Sequence, residues 1–551
     1  MNFQFPKYGP IIFLIIISLM PLMALLQAGL PITHDGQDHV ARIANFYQSL
    51  SEGNIIPRWA GNLNWGYGHP ILMFLYPLPS YAASLFHLLG FSLVDSVKLV
   101  FAVAFIASGV TMYFWLREFL GETSAIVGSI IYNFAPYRFV DLYVRGAIGE
   151  HVAFIFPPLI CYFLLKTAKE SRFNRFYFVG ASMSLAGLIL SHNALLLMFL
   201  PFVILYGIYL IFNAKNKKLV ASIYLLFASL GFGLSFFFLY PAFAEGKYTL
   251  RDIVASSEYF SRFVRLDQLL YGFWSYGISG QFTVQVGILQ WIAVLGSLFI
   301  IPGLLKKERK LLGLYLIAFI YFVASLFLML KESDFIWQTI SILQKFQFPW
   351  RFLSVSVFMA GILGGLVVYM ILNENIRKVI LIIIVIITFV MTKDFWQPKD
   401  YLMRPDSFYS GVYNGTTDTG ESSPIWSVRF MEERPKTYSE TIKGEAKIRE
   451  LLRTSTHHKY EIESTYKSRI RENTLYFPGW RVYVDGKLYQ DVQFQDPSHR
   501  GLMTLYVLDG KHVVDIKFED TKLRQVANLV SVSSIILLGA LALFGKIIKA
   551  R

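Results

Sequence analysis

Nine residues from His34 to Arg42 hold two carboxylates, two imidazoles and a guanidinium: His34, Asp35, Asp38, His39 and Arg42. They come soon after the apolar run Ile11 to Leu26, and ionisable groups at a membrane boundary are costly and usually functional. If a helix opens at Asp35 and Gly36 and continues through Asn45, then Asp35, Asp38, His39 and Arg42 fall at i, i+3, i+4 and i+7 on one face. Such a face can abstract a proton with a carboxylate while the guanidinium neutralises an anionic neighbour. The spacing therefore nominates Asp35, Asp38 and His39 as catalytic groups, with His34 and Arg42 as substrate contacts. The plain alternative is a polar helix on the membrane surface whose charged groups are merely solvated.

The elements that must position these groups are membrane helices. The 551 residues are 55% hydrophobic and 17% aromatic but only 16% charged, with a mean hydropathy of +0.48, which is the composition of a polytopic membrane protein. The net charge of +14 does not point to nucleic acid, because Lys and Arg cluster in short links between apolar runs and so report topology. The lone Cys161 excludes an intramolecular disulfide and a cysteine metal cluster. The first apolar run lacks a small-residue cleavage site and is long enough to span, so it reads as a retained helix.

Twelve apolar runs of spanning length lie near 9–29, 96–116, 123–136, 150–165, 176–191, 194–213, 219–240, 283–304, 311–330, 352–372, 377–392 and 527–545. The basic links at 166–175, 215–218, 306–310 and 377–378 and the tail from Lys546 mark the inner side. Alternation from these anchors leaves no parity for Ile71 to Leu89 to cross, and its prolines suit a juxtamembrane helix instead. Both termini are then cytoplasmic, in a plasma membrane. The first loop (30–95), 136–151, 191–193, 241–282 and 331–351 all face outward. So does 394–525, whose strand-like alternation predicts a mostly β domain. Residues 1–393 form the transmembrane module and 526–551 a last helix with a basic tail. Asp485-Gly486 and Asp509-Gly510 both read as hairpin turns. No Walker-type glycine loop stands out.

Three further outer motifs carry charge. In 136–151, Arg138, Asp141, Arg145, Glu150 and His151 lie between spans; Glu150, at the start of a hydrophobic helix, is expected to face the bundle. Ser191-His192-Asn193 reads first as a tight turn, with His192 also a site candidate. Trp350 and Arg351, in the run Phe346 to Phe352, sit at headgroup depth, where a guanidinium can hold a lipid phosphate bidentately. The stretch Tyr476 to Lys487 could stack on sugars but reads better as the core of a small β domain.

Together these motifs resemble the GT-C type membrane glycosyltransferases, and among them the bacterial 6-pyruvoyl-tetrahydropterin-synthase-related membrane proteins, with YfhO-like proteins as neighbours. The carrying residues are His34-Asp35-Gly36, His39, Arg42, Gly53, Pro57-Arg58, Gly66-Tyr67-Gly68-His69-Pro70, Ser191-His192, Phe348-Pro349-Trp350-Arg351 and Phe477-Pro478-Gly479-Trp480. The resemblance implies a polyprenyl-phosphate sugar donor in the lipid, and a glycan, lipid or protein acceptor whose hydroxyl Asp35 deprotonates. It adds Tyr67, His69, Arg138, Arg145, Glu150, His192, Trp350 and Arg351 as substrate contacts, and juxtamembrane helices in the first loop. Many relatives carry adjacent acidic residues, whereas Asp35 and Asp38 are separated here. The choice of base and dependence on Mg or Mn therefore stay open. A transporter of lipid-linked glycans, or a non-catalytic assembly protein, would use the same residues without chemistry.

Overall fold

The computed structural model describes residues 8–254, 258–278 and 281–544. Ten of its helices have the length and apolarity to cross a membrane. They coincide with ten of the twelve expected runs. The other two runs are helical but shorter: α5 (Glu122–Asn133), with 12 residues, and Arg175–Ser191, with 17. At about 1.5 Å per residue α5 spans only ~18 Å, short of a hydrocarbon core of about 30 Å. The cause is Pro136, whose ring drives Ala135 into an extended conformation (ψ 145°) and ends the helix early.

α5 is buried from Thr123 to Asn133, against α4 (Leu93–Leu120) and the helix Leu353–Tyr369. Glycines make the close approach feasible. A Cβ on Gly128 would stand 2.7 Å from the Gly361 carbonyl oxygen, and one on Gly361 would stand 2.9 Å from that of Gly128. Small residues serve this purpose in membrane interfaces, where lipid competes for apolar contact but not for backbone proximity.

The first loop folds on the end of this bundle. Helix α1 (Gly9–Leu19) runs through 3-10 turns to Leu26, and α2 (Gly36–Ser51) follows. The run Ile71 to Leu89 breaks into a 3-10 turn, Pro70–Met73, and α3 (Leu78–Leu88), whose 11 residues are too few to cross. Phe46 of α2 meets Tyr81 of α3 edge to face at 4.7 Å.

Strands β3 to β10 lie between Ser439 and Phe518. With β3 (Ser439–Lys443), β4 (Ala446–Arg453), β5 (His457–Ser464) and β6 (Ser468–Leu475) followed by β7 (Trp480–Val484), β8 (Lys487–Tyr489), β9 (Leu502–Val507) and β10 (Gly510–Phe518), they form a five-stranded sheet ordered β4-β5-β10-β7-β8 and a three-stranded sheet ordered β3-β6-β9, all antiparallel pairs. Asp485 (φ 51°) and Gly486 (φ 79°) make the two-residue turn joining β7 (Trp480–Val484) to β8 (Lys487–Tyr489), as expected. Asp509-Gly510 does not make a hairpin: β9 (Leu502–Val507) pairs with β6 and β10 (Gly510–Phe518) with β5 and β7, so the dipeptide carries the chain from one sheet to the other. Local turn chemistry marks a reversal without saying which strands pair. Phe477, Trp480 and Val482 are core residues, so Tyr476 to Lys487 is packing and not a sugar platform.

Residues 394–438 behave differently from the strands that follow. They wrap the first loop: β2 (Tyr401–Leu402) pairs with β1 (Leu30–Pro31), and the backbone of Asn62, Asn64 and Trp65 bonds to that of Tyr413 and Gly415. A second tie joins the β domain to the bundle through buried charge. Arg524, fully buried at the start of the last helix, places Nε 2.8 Å from Glu245 and donates to the Pro478 carbonyl. Gly479 (φ 120°) is required there, since a Cβ would lie 2.6 Å from Arg524 Nη1. Arg524→Ala would leave Glu245 buried and unpaired, a defect that costs about 3–5 kcal/mol. The expected result is a clearly lowered melting temperature in detergent, partly restored by adding Glu245→Ala; a double variant no better than the single one would show that the pair does not couple.

Candidate active site

Four connecting segments meet at one end of the bundle. Pro136 starts a new turn after α5, and Val140–Arg145 then forms a π-helical turn, a geometry frequent at functional sites. The wider turn sets Asp141 and Arg145 on one side, and Gly146 (φ 68°) turns the chain toward Glu150. Glycine is needed at 146 because a Cβ would lie 2.3 Å from the Thr33 hydroxyl of the first loop. Backbone bonds lock the two segments: His34 N–H donates to Val144 O at 3.0 Å, and Asp35 N–H to Arg145 O at 2.9 Å.

At the centre is Glu150, 1% exposed. Its Oε1 accepts from Arg145 Nη2 at 2.7 Å and from Arg351 Nε at 2.8 Å, and its Oε2 from the Tyr137 hydroxyl at 2.8 Å. Arg145 also donates to Asp141 at 2.5 Å and lies 4.5 Å over the Trp350 ring. A carboxylate taken out of water needs this much compensation, and removing one partner from such a cluster is strongly destabilising. Burial and the charge of Glu150 raise the Asp141 carboxyl well above its ordinary range. Arg351 Nη1 bonds the Phe346 carbonyl at 2.8 Å, and its Nη2 has no hydrogen-bond partner among the described residues.

His192 makes the expected turn and lies beside Glu150. It caps the helix Asn193–Asn213, its Nδ1 accepting from Leu195 N–H at 3.2 Å, and the protonated Nε2 faces Glu150 at 3.8 Å. Burial pushes its imidazole down to about 3, so it stays neutral. The Tyr76 ring packs against it, tilted by 32° with centroids 5.1 Å apart, and stands within electrostatic reach of Asp35, Arg42, Glu150 and Arg351. Gly149 makes room, since a Cβ there would meet the Tyr76 ring at 2.2 Å.

The face of α2 exists, but its groups take separate partners. Asp35 caps the helix; it is exposed and its carboxylate bonds to none of the described residues. Asp38 accepts from the Tyr413 hydroxyl at 2.9 Å. Burial raises its carboxyl, against the pull of that bond. Arg42 donates to His39 Nδ1 at 3.0 Å, to Thr417 Oγ1 at 3.2 Å and to the Thr417 carbonyl. His39 therefore carries its proton on Nε2, and burial together with Arg42 and Arg145 holds it neutral. Among the described residues no ion pair joins Arg42 to Asp35 or Asp38, contrary to the convergence expected from helical spacing. His34 is exposed, 5.8 Å from Phe282, whose ring meets Trp350 at 4.9 Å.

Three expected contacts lie elsewhere. Arg138 is fully buried in an aromatic box, 3.9 Å over Phe154 and bonded to Ser108 of α4, because the turn after Pro136 points it inward. His69 is buried against Ser423, and Tyr67 accepts the Leu475 N–H at the junction with the β domain. Conversely, Tyr76, Tyr137, Tyr413 and Thr417 were not foreseen; Tyr413 and Thr417 reach α2 across 375 residues, with no local pattern to announce them. Among the described residues no three His, Cys, Asp or Glu side chains are grouped to hold a metal ion, so no step is routed through one.

Comparison with known proteins adds a family. A curated relative, an uncharacterized protein of Lactococcus lactis subsp. cremoris (strain MG1363), is 26% identical over 269 residues, covering 47% of this chain and 42% of the relative. The mycobacterial arabinofuranosyltransferase AftD aligns over 72% of this chain and 27% of its own, at 15% identity and a TM-score of 0.46. ArnT from Cupriavidus metallidurans, solved bound to undecaprenyl phosphate, aligns over 73% and 68%, at 14% identity and a TM-score of 0.39. Scores this low carry no argument about this chain. A family model described as the 6-pyruvoyl-tetrahydropterin synthase related domain of membrane proteins matches residues 72–398. That is more than half of the chain, which therefore belongs to this family of membrane proteins.

Proposed function

We propose that the protein is a membrane glycosyltransferase that moves a sugar from a polyprenyl-phosphate carrier to a cell-surface acceptor on the outer face of the plasma membrane. The observation that carries the reading is the juxtaposition of an unpaired carboxylate, Asp35, with a buried arginine cluster whose Arg351 keeps an open donor edge. In the reaction the acceptor hydroxyl oxygen bonds to the anomeric carbon as the bond from that carbon to the phosphate oxygen breaks. Asp35 takes the hydroxyl proton, and the departing phosphate keeps the electron pair, its charge held by Arg351 and Arg145. Trp350, beneath Arg145, fixes the guanidinium that faces the donor. The donor's identity as a lipid phosphate rests on the motif resemblance and on the proximity of this cluster to the ends of apolar helices.

The reading places the first loop outside, with both termini inside. Asp95, exposed in the first turn of α4, reports this. Asp95→Cys in a Cys161→Ser background should react with an impermeant thiol reagent added to intact cells; labelling only after the membrane is opened would reverse the orientation of the first two crossings.

Arg351→Lys retains charge and can still meet Glu150 but loses the planar fork. The apparent KM for a synthetic polyprenyl-phosphate sugar should rise while kcat changes less, and an unchanged KM in Arg351→Ala would remove Arg351 from donor binding.

A general base typically contributes about 10²- to 10⁴-fold in rate. Asp35→Asn should therefore abolish detectable transfer by the purified protein with donor affinity intact, and Asp38→Asn should do less. Asp38 also supplies a folding control. Its carboxyl is raised in the folded state, so the folded form binds more protons and stability falls as pH climbs from the ordinary carboxylate range through the raised value. Asp38→Asn keeps the Tyr413 bond without the buried charge, and its melting temperature at pH 7 should equal or exceed the parent's. Near-normal turnover in both single variants and in the double variant would remove Asp35 and Asp38 as the base, whereas no transfer by the parent protein from polyprenyl-phosphate sugars would remove the enzyme reading and favour a transporter.

A further inference from the structure

Two cavities, of about 450 and 520 Å³, lie beside α2 and share Asp38, Asn414 and Gly415 in their walls. Neither contains the arginine cluster around Glu150. The first is lined by Trp65 of the first loop and by Phe430, with Asp38, Asp418 and Glu432 as its ionisable groups and no Lys or Arg among its lining residues. In the second, Arg434 is spent on the Asn414 side-chain oxygen at 3.0 Å and the Val412 carbonyl at 2.9 Å.

Backbone strain frames the same space. Asn64 (φ 54°), Trp65 (φ 63°) and Thr417 (φ 66°) all occupy the left-handed region, where side-chain-bearing residues rarely sit. The Asn64–Trp65 turn is held there from outside: Asn64 and Trp65 N–H groups donate to Gly415 and Tyr413 carbonyls, and Met431 N–H donates to the Asn64 side-chain oxygen at 2.8 Å. The surrounding structure over-determines a conformation the dipeptide would not choose, a pattern that clusters at ligand sites. Its effect is to leave the Trp65 ring half-buried at the wall of a cavity that is also lined by Phe430, 44% exposed.

From this geometry we propose that the cavity lined by Trp65 and Phe430 is a glycan-binding subsite for neutral or amino-bearing sugars. Aromatic walls suit the C–H faces of a sugar ring, and the carboxylates and the Thr417 and Asn414 groups suit its hydroxyls. Glu432 is already paired with Arg429 at 2.6 Å and Arg500 at 3.8 Å, so it is Asp38 and Asp418 that disfavour phosphorylated or uronic sugars by repulsion. The sugar's role as acceptor rests on the glycosyltransferase reading; the binding itself does not.

The test is a glycan array carrying neutral, amino-bearing and carboxylate- or sulfate-bearing oligosaccharides, probed with the purified full chain in detergent and without donor. Neutral or amino-bearing glycans should be retained. Trp65→Ala and Phe430→Ala should each weaken them by about tenfold, and Glu432→Lys should disfavour the amino-bearing ones. Each variant is compared at an unchanged melting temperature, and if Trp65→Ala unfolds, Phe430→Ala on its exposed ring decides. No retained glycan, a preference for acidic glycans, or unchanged binding in the aromatic variants would overturn the subsite. Retained glycan without any transferase activity would overturn the enzyme reading and leave the subsite standing; transfer insensitive to Phe430→Ala would do the reverse.

Discussion

A carboxylate buried at 1% exposure has to be matched, and Glu150 is matched by two arginines and a tyrosine drawn from two distant stretches of chain. That requirement organises the end of the bundle. It pins the start of the helix Leu353–Tyr369 through Arg351, pins the π-helical turn through Arg145, and gives His192 its neighbour. The turn in turn presents two backbone carbonyls that receive His34 and Asp35. The loop bearing the proposed base is thus positioned by backbone hydrogen bonds to the segment whose side chains form the proposed phosphate site. Charge compensation and catalytic geometry depend on the same few residues.

The first loop is held from its other side by residues 394–438 and the β domain. Trp59 of the loop lies 5.4 Å from Trp480 and shares the core of the two sheets, while Arg58 pairs with Asp520 at 3.1 Å. Buried ion pairs of this kind contribute little net stability but penalise every arrangement in which one partner is left alone. Arg524 with Glu245 and Arg58 with Asp520 therefore act as registration points between the bundle, the loop and the sheets. A loop gripped on two faces can keep strained turns such as Asn64–Trp65, which an isolated segment would relax.

Two ligand chemistries follow from which face of α2 is considered. Toward the bundle, positive charge gathers near the ends of apolar helices, a setting for an anion on a lipid. Toward residues 414–432, carboxylates and aromatic rings line open space. Asp38 borders the second region and Asp35, one turn earlier, the first; a proton passing from a sugar hydroxyl to a carboxylate would do so between them.

Hydropathy and charge determined the number and order of apolar helices, because burial in lipid imposes its composition residue by residue. Alternation over Tyr476 to Lys487 likewise announced a β core, and the polar clusters at 34–42, 136–151, 191–193 and 346–352 announced that something costly was kept near the membrane. What those clusters do with one another was not legible. Spacing put Asp35, Asp38, His39 and Arg42 on one face, yet Arg42 turned to Thr417 and Asp38 to Tyr413, partners 375 residues away. Arg138 and Arg145 sit seven residues apart in the same connecting segment; one is sealed in an aromatic box and the other grips Glu150. The difference comes from the break at Pro136 and the π-helical turn after it, which redirect side chains in a way that periodicity cannot carry. Long-range pairing of charge is decided only once the chain has closed, because its energy depends on distances and desolvation that no local pattern encodes.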